Sequence, residues 1–437
     1  MPTISRSVNL NVESSTGLKS WGLRAAIRRW GTQGTWALLD QGLFASANFT
    51  VYILLARWLS VEQYGGFTVA FSVFLLIGTI HTAVLTEPML IFGSGRFRER
   101  FGDYITILIS WHWRLGLILA APLVICGAGL AAAGSAATGW PIGILSITAP
   151  CILFLWLMRR ACYARLLPRI AALAGIAYLA AVLILLYLLR VTDSLTAVSA
   201  LLLIATASAG TAAGIRFRLS DRPADQPTDL LMLEARSEHL RYGRWAVGTS
   251  MLSWVPGNVF YFFLPIWWGL EGTAALRAMY NLLLPVLHGI GAIGVLLLPA
   301  LVRVRGTPDF RRSILGFSAV FVAFAATYWL ALVTLGDSAA NWLYESQYDG
   351  FANLLPVLGL LPFATGLVAV LGGALRAIER PDLVFWAYVA SSFTAILVGL
   401  PLSAQFGPMG GAAAQVAAAA VTFLGLLLAV TIVRRPS

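Results

Sequence analysis

The chain has 437 residues, 59% of them hydrophobic and only 11% charged, with a formal net charge of +11. Soluble domains carry about 25% charged residues, so this composition excludes a water-soluble globular protein. Lys19 is the only lysine and follows Leu18, so there is no Gly-Lys-Ser/Thr phosphate loop to drive transport with nucleotide.

The first 30 residues are polar and basic and lack the apolar core of a cleaved signal peptide. They read as a tail, with Trp21 to Trp30 forming a basic amphipathic helix on the membrane surface. A bilayer crossing needs roughly 20 apolar residues. Twelve such stretches follow, at about 36–56, 67–92, 105–130, 140–158, 167–189, 195–215, 245–268, 279–301, 314–335, 351–374, 383–402 and 409–433. Arginines cluster before the first span and after every even-numbered one, for example Arg96, Arg98 and Arg100, then Arg303, Arg305, Arg311 and Arg312. The other side has Arg57, Arg190 and Arg277 among acids such as Glu62, Asp193, Glu271 and Glu345. Cytoplasmic loops retain Lys and Arg, so both termini are expected in the cytoplasm. The positive charge therefore points to topology and anionic lipid head groups rather than nucleic acid.

Ionisable groups inside spans are expensive and mark candidate function. In span 1, Asp40, Phe44 and Asn48 fall at i, i+4 and i+8, on one helix face. Span 2 carries His81 and then Glu87 before Pro88. Asp40 and Glu87 are expected at one depth near the cytoplasmic mouth, either as ion-coupling acids or paired with loop arginines. In span 3, His112 and Arg114 lie between tryptophans, with Arg114 on the order of 13 Å from residue 105. At that depth a guanidinium facing a cavity could bind phosphate with two parallel hydrogen bonds, or pair with a buried acid. Span 7 adds Asn258 beside Pro256, and span 8 adds Asn281 and His288, seven residues apart and expected on one face of a proline-bent helix. Cys126, Cys151 and Cys162 have no paired spacing and read as small apolar residues. No metal site and no nucleophilic triad emerges, so neither cofactor nor catalysis is expected.

The longest polar interruption, 218–244, opens with Asp221, Pro223 and Pro227 and continues at helical spacing from Leu230 to Arg244. The expected organisation is thus a cytoplasmic tail over 1–35, a lobe of six spans over 36–217, a linker with a short amphipathic helix over 218–244, a second six-span lobe over 245–433, and a cytoplasmic tail over 434–437. An offset of 209 matches Trp36 with Trp245, Trp58 with Trp267 and Glu62 with Glu271, as in a parallel repeat. No external loop is long enough to hold a sugar acceptor, which counts against a polymerase.

The segment LLDQGLFASANFTVYILLARWLSVEQYGG resembles the opening of the polysaccharide and O-antigen flippases of the multidrug/oligosaccharidyl-lipid/polysaccharide (MOP) exporter superfamily. The matched features are Ala56-Arg57, Leu59-Ser60 and Gln63-Tyr64-Gly65, then a second helix ending in Glu87-Pro88. Gly269 to Gly272, Ala374 to Pro381 and Phe406 to Ala413 extend the resemblance to about a quarter of the chain. The resemblance implies an all-α polytopic fold like that of the MATE transporters, with two six-helix lobes around a central, often cationic cavity. It also implies a multi-pass protein of the bacterial inner membrane that flips a polyprenyl-diphosphate-linked oligosaccharide, an O-antigen or exopolysaccharide precursor, to the periplasmic leaflet. Implied partners are membrane lipids and polysaccharide polymerase or export machinery. On this reading Arg114, Asn48, His112, Asn258 and His288 bind substrate, while Asp40 and Glu87 couple an ion. The alternatives are a cation-coupled multidrug antiporter and a membrane glycosyltransferase or polymerase.

Overall fold

The computed structural model describes residues 16–219 and 229–433, with side chains from residue 34 onward except 245, 295, 296 and 433. Every crossing is helical, because within hydrocarbon each backbone N–H and C=O has to be bonded inside its own segment. Eleven runs are long and apolar enough to span. Two of them, Ala246–Asn281 and Pro381–Ile432, are too long for one crossing. Each holds a glycine with positive φ where the chain turns back, Gly269 (φ 66, ψ −179) and Gly407 (φ 59, ψ −138). That backbone region is essentially restricted to glycine.

Twelve passes result: α1 (Thr16–Trp58), α2 (Val61–Ser94), α3 (Phe101–Ala132), α4 (Ala136–Ala164), α5 (Pro168–Val191), α6 (Ala197–Leu219), α7 (229–268), α8 (270–303), α9 (Asp309–Tyr344), α10 (Leu354–Ala377), α11 (381–406) and α12 (408–433). Three expectations change. The segment from Thr16 is continuous with α1 instead of forming a separate surface helix, and residues 1–15 lie outside the described residues. The helix expected in the linker is simply the beginning of α7, which runs unbroken from Asp229 to Asn258. Span 8 begins just after Gly269, about nine residues earlier than expected, and so draws Arg277 into the membrane. The tail at 434–437 and the prolines of the linker also lie outside the described residues.

Helices α1–α6 pack on one another and α7–α12 do likewise, giving two lobes. In the second lobe the two glycine turns brace each other. A β-carbon on Gly407 would come within 2.7 Å of the Trp268 ring, and Trp268 Nε1 donates to the Ala404 carbonyl at 3.0 Å. The offset of 209 places Val61, the first residue of α2, on Leu270, the first of α8, so the repeat marks equivalent turns.

The Ala56–Gly65 motif forms the seam between the lobes at the arginine-poor end. The Ala56 carbonyl accepts from Tyr348 (3.3 Å), and the Leu59 carbonyl accepts from Gln347 Nε2 (2.9 Å). Arg57 pairs with Glu345, which a left-handed turn at Glu345 and Ser346 presents to it. Ser60 caps α2, Gln63 accepts from the Ala197 backbone N–H (2.9 Å), and Tyr64 OH accepts from Asn281 Nδ2 (2.7 Å). Gly65 lies against the Leu270 backbone, where a β-carbon would overlap the carbonyl oxygen. At the opposite end, the leading turns of α7 cross to α2 and α3. Arg96 pairs with Glu234 and Glu238, and His239 Nδ1 donates to the Val84 carbonyl (2.8 Å) while its Nε2 accepts from Tyr104 OH (2.7 Å). His239 precedes the membrane-spanning part of α7, and burial holds its imidazole below the usual range, consistent with this neutral tautomer.

Because the α2–α8 approach depends on the missing side chain, Gly65→Ala should hold the lobes apart at the arginine-poor end. Labelling of a cysteine at position 64 by a water-soluble maleimide should then rise several-fold over the same cysteine with Gly65 intact. Equal labelling would show that the seam tolerates the methyl.

Candidate substrate site between the lobes

Arg277 lies eight residues into α8, so it is about 12 Å from the turn at Gly269. Its side chain is only 8% exposed. Around it stand Tyr52 of α1 (5.1 Å to the ring centroid), Phe71 of α2 (5.7 Å), Tyr261 of α7 (5.8 Å) and Tyr280 of α8 (5.6 Å). Ring faces stabilise a desolvated cation by roughly 0.5–2 kcal/mol each at best, which offsets part of the cost of burial. No carboxylate pairs with Arg277 among the described residues. The polar atoms nearby also have unused capacity. Asn281 donates to Tyr64, while its Oδ1, near Tyr344, makes no well-formed hydrogen bond; the Tyr261 hydroxyl lies near Gln415 and Arg277 but is in well-formed hydrogen bonds with neither. Buried polar atoms without partners need an explanation, and a polar ligand or ordered water is the ordinary one.

Beside this chamber the second lobe contains a cavity of ≈ 210 Å³, bordered by Tyr280 and Gln415. Its polar lining is uncharged: Ser253, Thr365, Tyr388, Ser391 and Thr422. Pro256 helps shape it, since proline cannot donate to the Leu252 carbonyl and Ser392 does so instead at 2.6 Å. Asn258 spends its amide on its own helix, donating to the Trp254 carbonyl at 3.1 Å.

The first lobe treats its charges differently. Asp40 is fully buried; its Oδ2 accepts from Arg159 Nη2 (2.8 Å) and from Tyr163 OH (2.5 Å), and Phe44 stacks under the guanidinium at 3.8 Å. The expected stripe on α1 therefore holds at Asp40 and Phe44. A helix drifts by about 40° every four residues, so the stripe turns from the lobe interior at Asp40 toward the seam at Tyr52. Asn48 is half-buried on the way, one turn from Tyr52, and bonds no other described side chain. Glu87 is also half-buried and lies beside Tyr242 of α7, with Arg160 nearby. Consecutive arginines of α4 thus face different acids: Arg159 is ion-paired with Asp40, while the exposed Arg160 is only near Glu87.

Three sequence expectations fail here. Arg114 is exposed, on the outer face of α3 shared with Leu117 (75% exposed) and Ile118 (70%), and faces no inner cavity. His288 is exposed and is separated from buried Asn281 by an interruption of α8 at Leu282 and Leu283, so the two do not share a face. Finally, Arg277, read from sequence as a loop residue, is inside a helix, and so is Arg159, one residue beyond the expected end of span 4 at 158. The signal that could have relocated Arg277 was the Gly269-Leu270-Glu271-Gly272 turn preceding it. His112 is buried, as a site residue should be, but its partner is His81 of α2: His81 Nε2 and His112 Nδ1 are 3.0 Å apart. No group of three metal ligands occurs among the described residues.

No family model and no curated protein sequence matches this chain. Solved structures do. The chain is similar to a multidrug resistance MATE family transporter of the MOP superfamily in its inward-facing conformation (14% identity, 92% of this chain and 99% of that one, TM-score 0.72). It is similar to the lipid II flippase MurJ in an inward closed conformation (15% identity, 90% and 87% covered, TM-score 0.70). A third likeness is to a MOP superfamily transporter from Pyrococcus furiosus Vc1 (DSM3638), described as having a binding pocket of reversed polarity (15% identity, 94% and 96% covered, TM-score 0.63). The chain is a multi-pass membrane protein with the fold of MOP superfamily transporters.

Removing either member of the buried Asp40–Arg159 pair strands the other, which typically costs about 3–5 kcal/mol. Asp40→Ala and Arg159→Ala should each lower the melting temperature in detergent, and the double variant should fall short of the sum of the two losses. Strict additivity would mean that the contact contributes nothing.

Proposed function

We propose that this chain is a flippase of the bacterial inner membrane that carries a polyprenyl-diphosphate-linked oligosaccharide from the cytoplasmic to the periplasmic leaflet by alternating access. The observation that carries the reading is Arg277, a membrane-buried guanidinium with no carboxylate partner among the described residues, where the two lobes meet. A planar fork of N–H donors suits a phosphate oxygen pair, and the low surrounding dielectric strengthens that match. The Tyr faces and the open atoms of Asn281 and Gln415 suit hydroxyl-rich sugars, and Asn48 lies beside them.

With both termini cytoplasmic, the sealed arginine-poor end is periplasmic. The head group then enters from the cytoplasmic side while the polyprenyl tail stays in lipid between the lobes. Phosphate at Arg277 supplies the missing counter-charge, so the seam can open with the cation still neutralised. The chain makes and breaks no covalent bond in this cycle. The second reading is a cation-coupled antiporter, favoured by the half-buried Glu87 and by the fold shared with MATE transporters. Against it, the fully buried acid, Asp40, already has a cationic partner.

The deciding experiment is deletion of the gene with extraction of polyprenyl-linked lipids, complemented by wild type, Arg277→Lys and Arg277→Ala. The flippase reading expects complete lipid-linked units to accumulate on the cytoplasmic leaflet. Wild type should clear them, Arg277→Lys partly, and Arg277→Ala should lose at least about tenfold in export, a loss of ~1.4 kcal/mol or more in recognition. Full export by properly inserted Arg277→Ala would remove the phosphate role. Unchanged lipids with a gain in sensitivity to cationic drugs would favour the antiporter.

A further inference from the structure

Two histidines from different helices meet in the interior of the first lobe, away from the seam. His81 ends the first stretch of α2 and His112 lies midway along α3; both are buried. Their rings are perpendicular (86°) with one nitrogen of each 3.0 Å apart, while His81 Nδ1 and His112 Nε2 have no hydrogen-bond partner. A cavity of ≈ 10 Å³, close to the room of one water, borders both rings. Its other walls are apolar except for Ser146 of α4. Pro150, one turn further along α4, lacks the N–H that would normally bond the Ser146 carbonyl, so an acceptor in this wall has no helical donor. The Pro150 carbonyl itself faces His112.

Proton counting narrows the possibilities. Two neutral imidazoles have two N–H groups and two lone pairs. One N–H and one lone pair make the inner hydrogen bond. The facing Pro150 carbonyl suits a proton on His112 Nε2, so His112 Nδ1 is the acceptor and His81 Nε2–H the donor. His81 Nδ1 is then a bare lone pair in an apolar pocket. A single added proton would fill it, leaving both outer nitrogens protonated and one proton shared between the inner two. No bond other than the new N–H has to form or break.

Immediately after His81 the helix widens into a π-turn, Thr82–Thr86. π-turns loosen the regular ladder and recur at functional sites. This one is where the second lobe is clasped: the Val84 carbonyl accepts from His239, and Gly243 lies against Val84 and Ala83. The same stretch of α3 serves both places, with Tyr104 and Trp111 on His239 and His112 on His81.

We propose that His81 and His112 form a proton-binding site of the first lobe, and that the proton bound there loosens the clasp between the α2 π-turn and α7. A charge placed in this apolar wall is relieved where the α2 backbone is already widened. Other ionisable groups are remote from the pair. The pocket lining contributed by α2, α3 and α4 has no ionisable group besides the two histidines, Arg114 is on the outer face, and His239, Tyr242 and Glu87 meet beyond the π-turn. The site itself needs no assumption about cargo; only its use in transport rests on the proposed function.

The test is a titration of the histidine-¹⁵N-labelled full chain in lipid nanodiscs between pH of about 8 and about 5, the range of ordinary imidazole chemistry. The four histidines are assigned by single substitution. His81 and His112 should change together in one step, and His81→Asn should abolish the step at His112. Hydrogen exchange at Thr82–Thr86, corrected for its intrinsic pH dependence, should speed up several-fold across that step in wild type and in His239→Gln, but not in His112→Asn. Rings that stay neutral through the whole range in wild type overturn the site, even if every variant misfolds. Joint titration with unchanged exchange at the π-turn overturns the coupling. Neither result depends on whether lipid-linked oligosaccharide is the cargo.

Discussion

The seam where α2 lies on α8 governs the rest of the molecule. Gly65 allows the two backbones to touch at Leu270, and this approach brings rings from both lobes around Arg277. Tyr52 and Phe71 come from one lobe, Tyr261 and Tyr280 from the other. The cage therefore exists only while the seam is closed. A guanidinium in hydrocarbon without a counter-charge is costly, and ring faces compensate only in part. Opening the seam and hydrating or neutralising Arg277 are consequently one event.

The two lobes deal with charge in opposite ways. In the first, Asp40 is locked to Arg159 and Tyr163, a buried pair whose worth lies mainly in fixing how α1, α4 and α5 meet. In the second, the cavity wall has hydroxyls and one amide, Gln415, whose atoms make no well-formed hydrogen bond, and no charge. Arg277 at the boundary is the exception to both. Helix α2 connects these regions physically. It starts at the seam, carries Tyr64, Phe67, Phe71 and Phe74 stacked along one side, and reaches the His81 pair and the π-turn roughly 30 Å further on. A change at either end has a stiff path to the other.

Much of this was readable before any coordinates. The alternation of arginine clusters, the count of twelve passes and the division into two sets of six follow from hydropathy and loop charge alone, because a helix in lipid has no freedom to be anything else. The motif Ala56–Gly65 stood out as a resemblance, and its Arg57, Ser60, Gln63 and Tyr64 side chains all have partners at the seam or at a helix start. Asp40 was read either as an ion-coupling acid or as the partner of a loop arginine; it pairs with Arg159, which lies inside α4. Arg114 was misjudged because depth in a span says nothing about azimuth: only two residues apart, His112 faces inward and Arg114 faces out. Arg277 was missed since the stretch 269–278, with Gly269, Glu271 and Gly272 in it, reads as a loop, and hydropathy cannot tell a one-glycine turn from a longer one.

By itself, the sequence determined that this is a twelve-pass helical membrane protein with basic loops on one side, because those properties depend on residue type summed along a span. It also determined which residues are costly in lipid and so worth watching. Only the tertiary structure decided which of them meet. The pairing of His81 with His112 across 31 positions, of Asn281 with Tyr64 across 217, and of Arg57 with Glu345 across 288 depends on helix rotation and packing between distant segments. A rotation of about 100° separates neighbouring residues on a helix, so small shifts in where a helix starts and how it leans choose between a buried partner and open lipid.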